Sequence, residues 1–316
     1  MKGISVVTAT YLRPTEVREL LDNLTRQTVL PMEVILIDGA PPHVTDTERT
    51  VMAFPQPAPF EVRYIRKSGG TAIQRNEGID AARGDFIAFI DDDVRLEPDY
   101  FERMLTIYKE DTAKQIGGIA GYITNQYIDA AKSLRWRWFR RLRLFSTFEP
   151  GRYDYQTGYT INRYLQPPHD GLREIDWMGS NCGVWRSEVF AGGLRFSEFF
   201  KDYGMLEDAH LALRAGRSWR LLENGAAHCV HLHAPGGRVN MRRWARKTAV
   251  NFRFVFVDIV PRRSLKQELR FWGIQVFDLF RLTLYAFRMQ ELRYFALPLG
   301  KAEGIIEAAG LGLRRR

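Results

Sequence analysis

A chain of 316 residues with 45% hydrophobic and 13% aromatic side chains can bury a sizeable core in one large or two modest domains, which excludes a disordered protein. Its two cysteines, Cys182 and Cys229, exclude a disulfide scaffold and fit a reducing compartment. A formal charge of +9 asks for an anionic partner: nucleotide phosphates, a lipid phosphate, a membrane surface or nucleic acid.

The first half alternates strands and helices. Ile4–Thr8 reads as a short apolar strand, with no charged and apolar leader before it, so no signal peptide is expected. Residues 16–26 form a helix with Val17, Leu20, Leu21 and Leu24 on one face and Pro14 just before it. Strands follow over 33–38 and 61–65, then a helix over 71–82, a strand over 86–90 and a helix over 98–109. This β-α-β rhythm predicts an α/β fold, a doubly wound and mostly parallel sheet with both faces covered.

From Tyr122 to Trp177 the rhythm gives way to an aromatic, basic stretch. Strands are expected again over 181–185 and 219–222, with a helix over 208–215 between them. Beyond Arg242 the pattern is helical and amphipathic. The division expected is a catalytic domain over residues 1–240 and a helical C-terminal region over 241–316. No window reaches about 18 uncharged apolar residues, since Asp278 and Arg281 interrupt the best candidate, Phe271 to Phe287, so no spanning helix is expected.

The most informative segment is Asp85-Phe-Ile-Ala-Phe-Ile-Asp91-Asp92-Asp93, an apolar strand ending in three adjacent carboxylates. Three neighbouring anions repel one another, and a divalent cation with a preference for oxygen ligands makes the cluster favourable. The carboxyl end of a strand in an α/β sheet is also where ligands bind. The plainer alternative is an acidic turn capping the helix that begins near Pro98.

Val6-Val-Thr-Ala-Thr-Tyr-Leu-Arg13-Pro14, Glu33-Val-Ile-Leu-Ile-Asp38, Arg75-Asn-Glu-Gly78, Asp91-Asp-Asp93 and Glu207-Asp208 follow in an order and spacing that resembles family 2 glycosyltransferases over about residues 4 to 235. The resemblance implies a GT-A fold, Rossmann-like, and an inverting transfer from a nucleotide-diphosphate sugar with Mn²⁺ or Mg²⁺. It implies that Asp91 lies near the ribose or sugar, that Asp93 binds the metal and that Asp92 does either. Arg75 would meet the diphosphate or base as a fixed cation. Thr10, Arg13 and Asp38 match the base-recognising strand ends. Leu12 stands where the family commonly has asparagine, and Gly39 where it often has a second acid, which puts uracil recognition in doubt.

Asp208 matches the general base and Glu207 an orienting or acceptor-binding group, although two acids at a helix start are common without catalysis. Trp177 and Asn181 match the segment beneath the acceptor and donor sugar. His231, with His233 second, matches a metal-binding histidine. Its rival is zinc on the shared strand face of Cys229, His231 and His233, which lacks a fourth ligand.

Ser133 to Phe145 packs five arginines among aromatics and leucines, which fits a membrane surface or a lipid-phosphate acceptor. An acceptor-side hairpin with inward tryptophans fits it equally. Leu313-Arg-Arg-Arg316 reads as a charged tail. The expected protein is therefore a glycosyltransferase, cytoplasmic and peripheral at the inner face of the membrane, acting on a saccharide or lipid-linked glycan for surface polysaccharide. No nucleic-acid partner is expected. A sugar-phosphate nucleotidyltransferase would need a glycine-rich loop after the first strand. A non-catalytic binding protein would not need Asp91–Asp93 or Glu207-Asp208.

Overall fold

The computed structural model describes residues 2–201, 204–235 and 240–311. The Leu313–Arg316 tail lies outside them. Two compact units result, one comprising Met1–Ile128 with Arg163–Gly237 and the other Asp129–Asn162 with Arg238–Arg316.

In the first unit, β1 (Ile4–Thr10), α1 (Pro14–Leu24), β2 (Glu33–Asp38), α2 (Asp46–Met52), β3 (Glu61–Arg66), α3 (Thr71–Ala81) and β4 (Phe86–Ile90) follow the predicted alternation, except that α2 is a helix the sequence reading did not include. Then come β5 (Val94–Leu96), α4 (Tyr100–Glu110) and β6 (Ile116–Ile123). The second unit contributes α5 (Leu134–Arg141) and the short pair β7 (Tyr153–Asp154) and β8 (Tyr159–Thr160). The first unit resumes with β9 (Leu172–Glu174), β10 (Cys182–Arg186), α6 (Glu188–Ala191), α7 (Glu207–Ala215) and β11 (Arg220–His231). The second closes with α8 (Met241–Ile259), α9 (Leu265–Met289) and α10 (Ala296–Leu311).

A nine-stranded sheet runs β3-β2-β1-β4-β10-β6-β11-β5, with β9 paired to β11. β1 to β4 are mutually parallel, and β6 and β11 share their direction, whereas β10, β5 and β9 oppose it. Every residue of β2, β4 and β6 is buried, as strands covered on both faces require. The chain builds outward from β1 to β3 and then returns to place β4 on the other side of β1. The loops leaving β1 and β4 therefore diverge, and the crevice between them is the topological switch point of the sheet.

Three differences from the sequence reading have physical causes. β6, Ile116-Gly-Gly-Ile-Ala-Gly-Tyr-Ile123, carries glycines that depress strand propensity, but added Cβ atoms at Gly117, Gly118 and Gly121 would strike Trp219, Trp185 and Tyr100. β11 extends to His231, far past the expected end at Leu222, because it pairs successively with β6, β9 and β5. Ser133–Phe145 is centred on a helix, not a hairpin, and residues 129–162 group with the C-terminal helices, which a single cut at residue 240 does not anticipate. Aromatic packing explains that grouping. Phe139 lies 5.4 Å from Trp136, 5.0 Å from Phe145 and 5.7 Å from Phe277, and Tyr159 stacks on Phe252 at 4.1 Å.

In the second unit, ion pairs of Arg242 with Glu303 and Arg246 with Glu307 tie α8 to α10, and Gly300 and Gly304 lie directly against α8 backbone. Among the described residues, no helix is long and apolar enough to cross a membrane.

Gly78, which closes the Arg-Asn-Glu-Gly motif, lets α3 lie directly on Val7 of β1. Gly78→Ala forces a methyl group into that side chain and should cost about 1–3 kcal/mol by overpacking. Urea unfolding checks this, a lowered midpoint with unchanged slope being the expected result.

Candidate active site

The acidic run at the end of β4 is held by two arginines and a histidine from three distant parts of the chain. Arg75 on α3 reaches Asp91, with Nη2 donating to Oδ1 at 2.9 Å. Arg13, in the loop after β1, donates from Nη1 to Asp92 Oδ1 at 2.7 Å and lies 3.4 Å from Asp93 Oδ2. His231, the last residue of β11, places Nε2 3.1 Å from Asp93 Oδ1.

Further donors complete the loop. Thr10 Oγ1 donates to Asp92 Oδ2 at 2.7 Å, and the backbone N–H of Ala234 to Asp93 Oδ2 at 3.0 Å. Asp92 and Asp93 are almost fully buried, which only this network makes tolerable. Burial raises Asp92 to about 6 even against Arg13 and Thr10. Asp93 moves the other way: burial would raise it, but the His231 ring, Arg13 and the Ala234 amide together hold it below the usual carboxylate range. Burial disfavours the charged His231 ring, yet the Asp93 carboxylate outweighs it and raises the imidazole.

The sequence reading is redistributed here. Thr10 and Arg13 spend their side chains on the acidic loop, and Arg13 Nη2 also donates to the Ala234 carbonyl at 2.9 Å. Leu12, where asparagine is common, adopts φ of 56°, the left-handed conformation that asparagine tolerates better. Asp38 is buried at the end of β2, accepting from the Ala40 N–H at 2.8 Å and from Tyr64 Oη at 2.7 Å. Gln74, which the sequence reading passed over, donates Nε2 to the carbonyls of Thr10 and Ile37 at 2.9 and 2.7 Å and so joins the ends of β1 and β2.

One ligand atom each from Asp91, Asp93 and His231 lies within 4.8 Å of the others. Two carboxylate oxygens and an imidazole nitrogen suit a divalent cation such as Mn²⁺. Asp92 is turned away toward Thr10 and Arg13. Gln126 sets the far side of the histidine: its Nε2 is 2.9 Å from His231 Nδ1 and 2.8 Å from His233 Nε2, while its Oε1 is buried without a partner. Turned by 180°, the amide would accept the His231 Nδ1 proton at Oε1, and the Nε2 proton that bonds Asp93 would have to leave before that nitrogen could take a cation. Cys229 takes no part in this group, being buried at the β6 edge with Sγ 3.8 Å from the Tyr122 carbonyl, and the zinc alternative falls with it.

A second acidic pair joins the first through Arg75. Its Nη1 donates to Glu207 Oε1 at 2.8 Å, so one buried guanidinium, 5.7 Å from the Phe196 ring centre, bridges Asp91 and Glu207. Both ends of Arg75 are thus occupied by acids. Leu206, with φ of 69°, turns the chain sharply into α7 and brings Glu207-Asp208 to the helix start. Asp208 is half-buried, and its carboxyl is pushed up to about 7, first by burial and then by the charge of Glu207.

Asn181 neighbours Asp208: a methyl group at Gly179 would lie 2.7 Å from Asn181 Oδ1 and 3.5 Å from Asp208 Oδ2. The Asn181 carbonyl accepts from the Asp91 N–H at 3.4 Å. Trp177 is half-buried four residues earlier.

Comparison with known proteins converges on one family. The family described as Glycosyl transferase family 2 matches residues 5–165, just over half of the chain. EpsH of Bacillus subtilis (strain 168), whose name calls it a candidate glycosyltransferase, is 37% identical over 111 residues, 35% of this chain and 31% of that protein. The succinoglycan biosynthesis protein ExoM of Rhizobium meliloti (strain 1021) is 29% identical over 168 residues, 52% of this chain and 51% of that protein. These matches span between about a third and a half of the relatives' own lengths. Among solved structures, the mannosyltransferase PcManGT from Pyrobaculum calidifontis, in complex with GDP-Man and Mn²⁺, aligns with a TM-score of 0.57 at 14% identity, covering 99% of this chain and 88% of that one. GalNAc-T7 with UDP, GalNAc and Mn²⁺ aligns at 0.61 and 12% identity, covering 86% and 50%. The fold is the expected α/β sheet of GT-A type. The family match ends before β10, so Asn181, Glu207, Asp208 and His231 lie beyond it.

The elevated Asp208 carboxyl has a thermodynamic consequence. Its folded value of about 7 exceeds the ordinary 3.8, so ionising it in the folded chain is penalised. That penalty is full above pH 7 and absent below the ordinary carboxylate range. Asp208→Asn should therefore raise the melting temperature at pH 8.5, and the gain should shrink as pH falls through 7 toward 5. Differential scanning calorimetry across that range reads it directly.

Proposed function

The chain belongs to glycosyl transferase family 2, and on that premise we propose that it transfers a sugar from a nucleotide-diphosphate donor to a saccharide or lipid-linked glycan, with inversion and with a divalent cation. The observation that carries this reading is the Asp91, Asp93 and His231 donor set at the switch point of the sheet, joined by Arg75 to Glu207 beside the high-pKa Asp208.

Asp91, Asp93 and His231 would hold the cation. Bound there, Mn²⁺ or Mg²⁺ would stabilise the negative charge that grows on the diphosphate leaving group. The imidazole nitrogen in the set favours Mn²⁺. The nucleotide would lie across the ends of β1 and β2, near Thr10, Arg13 and Asp38, with Asp92 fixing the loop beneath it. Arg75 keeps Asp91 and Glu207 in register, so donor and acceptor sides share one fixed cation.

Asp208 accepts the proton of the acceptor hydroxyl as that oxygen forms its bond to the anomeric carbon and the nucleoside diphosphate departs from the opposite face. A carboxylate tuned to about 7 is a stronger base than an ordinary one and is still ionised in useful proportion near neutrality. Glu207, Asn181 and Trp177 are assigned to the acceptor side. The ExoM resemblance favours a polysaccharide-building role, and the location proposed is peripheral, at the inner face of a membrane.

Release of nucleoside diphosphate from a panel of sugar nucleotides tests the reading. Asp208→Asn should lower turnover by about a thousandfold, as loss of a general base does, while nucleotide affinity stays nearly unchanged. Asp93→Ala should abolish the response of nucleotide binding to Mn²⁺. Lost nucleotide binding in the first variant, or an intact metal response in the second, removes that residue from its role.

A further inference from the structure

We propose that the α5–α9 face of the second unit docks on an anionic lipid bilayer. This deepens the peripheral location above and stands independently of the transfer chemistry. Along α9, Leu265, Leu269, Val276, Phe280, Leu284 and Phe287 are each more than half exposed. At 100° per residue they fall within one stripe about 100° wide, and from Leu265 to Phe287 it runs about 33 Å. The opposite face of α9 is occupied, with Phe271, Ile274 and Leu282 buried.

α5 repeats the division. Trp136 and Phe139 point inward, while Leu134, Trp138 and Leu142 stay exposed at helical spacing. Between the chain just past α5 and α9 lies a groove of about 560 Å³ lined by Leu144, Val276, Phe277 and Phe280, with Arg143 and Arg270 among its walls. Nothing stands within 4 Å of a methyl group added at Gly273 in that groove.

The charges decide what covers this face. Arg137, Arg140, Arg141, Arg143 and Arg270 make no ion pair among the described residues. Elsewhere in the same unit, Arg242, Arg246, Arg253, Arg263 and Arg281 are each matched to an acid. α5 contains no acid, and Glu268 and Asp278 of α9 are engaged by Arg253, Arg263, Arg281 and Lys301. A second copy seated face to face would set unpaired arginines against each other. Nucleic acid would satisfy the arginines and could stack on Phe280 and Phe287, but it would leave Leu265, Leu269, Val276 and Leu284 in water. An anionic bilayer accepts both, phosphates at the guanidinium groups and acyl chains at the stripe.

Sedimentation of the full chain with phosphatidylcholine vesicles, with and without phosphatidylglycerol, tests this. Binding should require phosphatidylglycerol and weaken with salt. The triple variant Arg140→Ser, Arg143→Ser, Arg270→Ser should lower vesicle partition about a hundredfold at low salt, given roughly one kilocalorie per basic residue near the surface. Phe280→Ser with Phe287→Ser should lower it at least about tenfold. Because these side chains are exposed, all variants should melt with the parent. Binding that ignores phosphatidylglycerol, no binding, or a solution dimer dissolved by the phenylalanine variant would each overturn the proposal, the last assigning the face to a second copy.

Discussion

Three carboxylates in a row at the end of a buried strand are the constraint around which the first unit is arranged. Each is answered by one basic side chain: Asp91 by Arg75, Asp92 by Arg13 and Asp93 by His231. Those partners come from the loop after β1, from α3 and from the end of β11, so neutralising the acids also fastens three elements to one point. Removing one partner from such a buried pair leaves an uncompensated charge, which typically costs about 3–5 kcal/mol. Stability and site geometry are therefore the same problem here.

The three partners are not equivalent. Arginine has no lone pair to offer a metal, and both guanidinium groups remain charged at any working pH. His231 alone of the three has a ligand nitrogen, and it stands beside the carboxylates with which it can share a cation. Arg13 and Arg75 hold the remaining oxygens in place. Arg75 does more, since its other nitrogen grips Glu207 and its charge reaches Asp208. The acids assigned to donor and acceptor thus share one buried cation.

Much of this was legible because it is local. The apolar runs of β2 and β4 have the predicted ends, since strands buried on both faces leave no ambiguity of face. The acidic triplet, Arg75, Glu207-Asp208 and His231 stand out as residue types at family spacing, and the fold brings them together. The pairings did not show. Thr10 and Arg13 looked available for a base, but their partners are about eighty residues away. Gln74 and Gln126 carry no signal of their own, because a glutamine beside an arginine or in a turn has no special composition. β6 was hidden by glycines whose purpose, close approach of Tyr100, Trp185 and Trp219, exists only in three dimensions. The arginine-rich segment showed its amphipathic character but not its helix, which aromatic contacts to Phe277 complete.

The most direct test of the site is a thermal-shift panel of UDP, GDP, dTDP and CDP, each with Mn²⁺, with Mg²⁺ and with chelator, on the parent chain and on His231→Ala. Ligand that binds only the folded state raises its melting temperature by mass action. The expected result is a shift with one nucleotide that requires the metal and is lost with His231. No shift with any nucleotide well above millimolar concentration, or a shift indifferent to chelator and to His231, would contradict a metal-assisted diphosphate site at the end of β4.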